Sequence, residues 1–230
     1  ALPRLAELAH SDTPELAGAA LFALAELATP DAADAIVQAT SPGGRADVKA
    51  EALLRCAAAL THNGHPDLAG TLCRNLLTAP ESTPPVRIAA LAELTAAMGP
   101  DSLPELRQAL QDEDPSVRKA AARLPATLAT TLPDAFPMET LRTGQDDVRA
   151  VVLEQVADGF LDLPESAVMS CAGEEKGPVR TAALRALRHA RSREAAQFLL
   201  QIAAETGPDA ILAAESLACC RGDAAGQVLL

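Results

Sequence analysis

The sequence predicts an all-α solenoid, a stack of antiparallel helix pairs, and three observations carry that prediction. A short phrase of polar turn, Val-Arg pair and Ala/Leu run recurs down the chain: PPVRIAALAEL at 84–94, DEDPSVRKAAARLPATL at 112–128, DDVRAVVLEQV at 146–156 and GPVRTAALRAL at 177–187. Its valines, Val86, Val117, Val148 and Val179, are evenly spaced at 31 residues, each followed by an arginine: Arg87, Arg118, Arg149 and Arg180. Self-similarity at a period of roughly 20–50 residues marks a repeat architecture. Gly and Pro fall mostly between the Ala/Leu runs, where they break one helix from the next.

Each repeat reads as a helix A followed by a helix B. The A helices are predicted near 2–9, 31–39, 66–78, 101–111, 134–142, 163–172 and 193–203, with an eighth from 223 onward. The B helices begin near 14, 46, 85, 115, 146, 178 and 208. Aligning the B helices on Leu16, Val48, Val86, Val117, Val148 and Val179 gives columns. Five residues on stand Leu21, Leu53, Leu91, Ala122, Leu153 and Leu184; eight on stand Leu24, Cys56, Leu94, Pro125, Val156 and Leu187. These positions share one helical stripe, so one face of each B helix is expected to be buried. In the seventh repeat Asp209 or Leu212 could hold the anchor, and the pattern does not choose.

Two departures from the period stand out. Leu16 to Val48 is 32 residues, a one-residue slip, but Val48 to Val86 is 38. The extra residues are expected in the turns THNGHP (61–66) and TAPESTPP (78–85), since insertions in repeat proteins map to loops. Pro125 stands in the core column of the fourth B helix. It lacks a backbone N–H and clashes with the preceding turn at ~3 kcal/mol or more in a straight helix. That helix is expected to kink or stop near Ala121–Leu124, with a flexure point near 125–137.

The phrase Asp-x-x-Pro-x-Val-Arg followed by an Ala/Leu helix resembles HEAT repeats of the short bacterial, phycobilisome-lyase-like type. It is sharpest at Asp112–Leu124 and weakest before residue 46 and after 208. The resemblance implies a right-handed α-solenoid of about seven helix pairs plus a partial helix, with the B helices on the concave side. It implies an interaction scaffold, enzymes being a minority in the family. Residues 1–230 are expected to be one array and a segment of a longer chain, because both ends run into helix-like sequence.

Charge narrows the partners. A net charge of −12 repels phosphate backbones and anionic lipid, so nucleic acid and membrane surfaces are disfavoured and a protein partner is expected. No apolar run approaches the ~20 residues of a membrane span. Five cysteines without framework spacing point to a reducing setting, read as cytoplasmic.

Three constellations are candidates for function. Arg87, Arg118, Arg149 and Arg180 follow acidic or polar turns and suit a structural ladder, because a guanidinium pairs bidentately with carboxylate; an anion-binding row is the alternative. Charge is also segregated: residues 134–175 carry ten acids against Arg142 and Arg149, whereas 176–193 carry six bases and no acid. Arg185, Arg188, His189 and Arg191 are the candidate partner-binding patch, against the alternative of a solvated helix end. Cys56, His62, His65 and Cys73 surround one long turn, but without Cys-x-x-Cys spacing no metal or cofactor is expected.

Enzymatic readings fail on what the motifs lack. The resemblance would permit an iron hydroxylase built on His-Glu pairs, yet the four histidines are followed by Ser11, Asn63, Pro66 and Ala190. A base-excision glycosylase would need a basic channel and aromatic residues, and Trp and Tyr are absent. The expectation is therefore a non-catalytic protein-interaction scaffold. The alternative is a regulatory component of an enzyme complex, with the bilin lyases as family precedent.

Overall fold

The computed structural model of the chain describes residues 1–40, 46–128 and 135–220, and every regular element among them is helical. The chain divides into two compact units, Ala1–Ala109 and Leu110–Leu230. The first holds α1 (Leu2–Leu8), α2 (Pro14–Leu27), α3 (Pro30–Gln38), α4 (Ala46–His62), α5 (Pro66–Thr78), α6 (Pro84–Met98) and, after a 3-10 turn at Gly99–Ser102, α7 (Leu103–Ala109). The second holds α8 (Pro115–Arg123), a 3-10 segment Leu124–Leu128, α9 (Ala135–Thr143), α10 (Asp146–Ala157), α11 (Glu165–Glu174), α12 (Gly177–Ala186), a 3-10 turn Leu187–His189, α13 (Arg193–Ala203) and α14 (Pro208–Cys219). The helix expected from 223 onward lies outside the described residues, as do 129–134 of the expected flexure.

The helix starts follow from local chemistry. Proline opens α2, α3, α5, α6, α8 and α14, where its missing N–H costs nothing. Thr29, Asp114 and Ser192 accept backbone N–H bonds as N-caps of α3, α8 and α13. Within each unit the helices then pack A against B and B against B. In the first, α2 lies against α4 and α4 against α6; in the second, α8, α10, α12 and α14 form one continuous row. This is the stacking of an α-solenoid.

The two inner columns are buried as the periodicity requires: Leu21, Leu91, Leu153 and Leu184 are fully enclosed, and so are Leu24, Cys56 and Leu94. The anchor column divides. Val117, Val148 and Val179 are buried, Val48 and Val86 are only half-buried, and Leu16 is 43% exposed. Leu16 is therefore not the anchor of the first repeat. Ala17, which lies 31 residues before Val48, is fully buried and takes that place, so the one-residue slip vanishes.

The long second-to-third repeat is also corrected. Most of its extra residues go into helix, α4 having 17 residues and α5 13 against 12 and 10 in α10 and α11, while the turn at 79–83, within the expected TAPESTPP, is longer than the turn at 175–176 between α11 and α12. Thr61 and His62 belong to α4, leaving a tight turn closed by Gly64 at φ +83, where an L side chain is strained. The Ala-rich, amphipathic run simply continues as helix because nothing in it breaks the backbone bonds.

Pro125 ends α8 at Arg123 and the chain continues as a 3-10 segment. In that tighter winding the Ala122 carbonyl would take the N–H of residue 125, which proline lacks. The Gln155 side chain replaces it: Nε2 donates to the Ala122 carbonyl at 2.7 Å from a position buried on α10.

Candidate functional site

The arginine column binds in a repeating way through the second unit. Arg118 Nη1 donates to the carbonyls of Asp112 at 2.9 Å and Glu113 at 3.0 Å, while Nη2 donates to Asp147 of the next repeat at 2.8 Å. Arg149 donates to the Leu141 carbonyl at 2.9 Å and to Glu175 at 2.7 Å. Arg180 donates to the Ala172 carbonyl at 2.6 Å and to Asp209 at 2.7 Å. Each guanidinium thus bonds a carbonyl in the last turn of its own A helix or just after it, and a carboxylate of the next repeat: Asp147 and Asp209 in the first turn of the B helix, where the helix dipole favours negative charge, and Glu175 in the turn just before it. Burial works against the Arg149 charge, but the bond to Glu175 and its negative charge outweigh it and hold the group protonated. Arg87 Nη1 donates to the Ser82 carbonyl of its own turn at 2.8 Å.

This register settles the seventh anchor. Asp209 is the carboxylate that Arg180 reaches, as Asp147 is for Arg118, so the residue after it is the anchor. That residue is Ala210, buried and 31 residues beyond Val179, not Asp209 or Leu212.

Lys49 is a member the sequence reading missed. Its Nζ donates to the Val37 and Ala39 carbonyls, both at 2.7 Å, as the arginines do at their A-helix ends. Burial pushes its pKa down, and the nearby Glu81 charge opposes that. The available signal was its place directly after Val48.

The basic patch occupies the end of α12 and the turn that follows. Arg185, Arg188 and Arg191 are exposed, and none is ion-paired with another described residue. Arg188 Nη2 lies 4.0 Å from the Cys219 sulfur. His189 Nε2 is 2.7 Å from the Ala157 carbonyl, which ties this turn to the end of α10. Below it, Glu165 sits on the N-terminus of α13, accepting the N–H of Arg191 at 2.6 Å, the N–H of Ser192 at 3.2 Å and the Ser192 hydroxyl. Burial would push the Glu165 carboxyl up; these bonds and the Arg191 charge outweigh it and hold the pKa below the usual range.

The cysteine–histidine group is not brought together. Cys56 and Cys73 are fully buried while His62 and His65 are exposed. Burial pushes the Cys56 thiol up to about 11 and Cys73 to about 12, so both stay neutral small hydrophobes. Among the described residues no group of three or more His, Cys, Asp or Glu is placed to hold a metal ion, and no helix is long and apolar enough to cross a membrane.

Comparison with protein families matches a profile described as HEAT repeats at residues 43–123 and 71–157, together half of the chain. The chain belongs to the HEAT-repeat family. The match is to HEAT repeats at large and does not extend to the phycobilisome-lyase-like type. A search of curated proteins finds no match. Among solved structures, the crystal structure of an engineered protein is similar at 20% identity over 95% of each chain, with a TM-score of 0.33 that carries no argument. HEAT repeats commonly serve as scaffolds for protein interaction.

Proposed function

We propose that this chain is a non-catalytic scaffold that binds a protein partner, with the turn-edge patch of Arg185, Arg188, His189 and Arg191 in contact with it. The observation that supports this most is how the cations are used. Arg118, Arg149 and Arg180 are consumed inside the stack by carbonyls and carboxylates, which favours a structural ladder over an anion-binding row. The patch arginines are exposed and form no ion pair with a described residue, although the Arg191 charge is felt by Glu165. Five free cysteines, three of them buried, fit a reducing, cytoplasmic setting. The regulatory enzyme-component reading rests on the bilin-lyase resemblance alone, and no residue here favours it.

The test is affinity capture with the intact natural protein, wild type against R185E/R188E/R191E. A stoichiometric protein partner retained by the wild type and lost by a variant with unchanged circular dichroism is expected. Recovery of nucleic acid, or of no partner at all, would overturn the scaffold reading.

A further inference from the structure

The turn between α10 and α11 presents an aromatic side chain that its own fold does not use. Gly159 adopts φ +78 after the last turn of α10, and its N–H donates to the Val156 carbonyl at 3.1 Å. The N–H groups of Phe160 and Leu161 then both return to the Gln155 carbonyl, at 2.9 and 3.3 Å. This is the left-handed helix terminator in which the residue after glycine commonly folds onto the helix as a hydrophobic contact. Phe160 holds that position and is instead 62% exposed, in a chain with four phenylalanines and no Trp or Tyr. An aromatic fixed in the open by three backbone bonds loses little conformational entropy when a partner covers it.

The surroundings of Phe160 are concave and continuous with the basic patch. A cleft of about 600 Å³ opens beside it, lined by Leu163, Val168 and Leu187, by His189 and Arg191, and by the carboxylates Asp162 and Glu165. A second hollow, of about 540 Å³, lies against Phe160 on the Arg123 side. His189 is shared with a third, which Arg188 and Asp158 line.

Charge identifies the occupant. Six other arginines of the described chain are ion-paired: Arg4, Arg55, Arg74, Arg118, Arg149 and Arg180. Arg185, Arg188 and Arg191 are not, nor are Arg123, Arg142 and Arg193, and Glu165, which feels the Arg191 charge, is engaged by the N–H groups that lead into α13. Asp158 and Asp162 flank Phe160 itself and repel carboxylates from that end.

We propose that the Phe160 turn and the arginines of the following turn form a docking site for an acidic protein segment that carries an apolar side chain. The apolar group enters the cleft beside Phe160, and the segment's carboxylates run toward Arg188 and Arg191. This deepens the scaffold reading by naming the edge of the array, rather than its B-helix face, as the contact.

The experiment measures fluorescence anisotropy of a short labelled peptide alternating glutamate and leucine, titrated with the whole protein. Two control peptides replace its glutamates by lysine or its leucines by alanine. The glutamate–leucine peptide should bind, weaken about tenfold or more with Phe160→Ser and again with R188E/R191E, and weaken with added salt. Both substitutions are at exposed positions and should leave the thermal midpoint unchanged. No binding, equal binding of the lysine peptide, or an unchanged affinity with Phe160→Ser would each overturn the docking site. A partner captured by the wild type, lost with the arginine reversals but kept with Phe160→Ser, leaves the scaffold standing and removes this site alone.

Discussion

The two units of this chain use the same repeat phrase to different effect. In Leu110–Leu230 the anchor valines are buried, and each arginine of the column crosses to a carboxylate of the next repeat. In Ala1–Ala109 the anchors Val48 and Val86 are half-buried and only the small Ala17 is enclosed, and the column cation Lys49 bonds carbonyls of its own repeat. The carboxylate–arginine bridge there joins two A helices instead, Arg74 of α5 to Glu105 of α7 at 2.6 Å. The reason is spacing. Where the period holds at 31 residues, Asp147, Glu175 and Asp209 arrive within reach of the preceding arginine. The longer helices α4 and α5 carry the third repeat out of that register, and Pro85 stands before Val86 where Asp147 stands before Val148. Lysine, a single ammonium, also lacks the fork that lets arginine bond carbonyl and carboxylate together.

The largest expected contrast is between a buried anchor and the exposed Leu16, which stands beside one. Val148→Ala removes two buried methyl groups from a fully enclosed site and should cost about 2 kcal/mol in denaturant unfolding. Leu16→Ala, at an exposed position, should stay within about 0.5 kcal/mol. Equal costs at the two sites would break the comparison, since they would mean that the phrase alone and not its burial sets stability.

The bridge is the next measure. A double-mutant cycle on Arg118→Ala and Asp147→Ala should show a coupling of about 1 kcal/mol, the pair being mostly shielded from solvent and anchored by two carbonyl bonds. Arg118→Ala should therefore destabilise modestly. Additive effects of the two substitutions would reduce the bridge to a surface contact of the kind that contributes almost nothing.

These contrasts also mark what the residues disclosed before any coordinates. Helix starts were legible because proline and capping residues act locally, and the core columns were legible because Leu21, Leu153 and Leu184 obey a helical period. In two places the structure departs from the spacing for physical reasons. Ala17, a small residue, buries as completely as a valine and was passed over for the larger Leu16. Spacing places the inserted residues in turns, but near His62 the Ala-rich run extends a helix at little cost, so only the turn at 79–83 is lengthened. Of the candidate site, the arginine patch was visible as a run of unopposed bases. Phe160 was not, because exposure of a lone phenylalanine depends on how the turn at Gly159 points it. Gln155 was equally hidden, since its partner is a backbone carbonyl 33 residues away.

Gln155 and Pro125 offer the finest test of how the second unit keeps its fourth repeat in register. Pro125 is buried in the core column, so the site has room for an apolar side chain, yet α8 stops at Arg123 and the Ala122 carbonyl depends on Gln155. Gln155→Leu should cost about 1 kcal/mol by leaving that carbonyl unpaired in the interior. Pro125→Leu restores an N–H to the chain at the point where the 3-10 segment lacks one, but it also returns conformational entropy to the unfolded state, so its net effect on stability should be small. The two substitutions are therefore coupled. In the Pro125→Leu background the backbone can serve Ala122, and Gln155→Leu should become cheaper by about 0.5 kcal/mol. Amide exchange of residues 123–128 should slow in Pro125→Leu if the restored donor extends α8. A Gln155→Leu cost that is the same in both backgrounds would show that the glutamine does not stand in for the missing proline N–H.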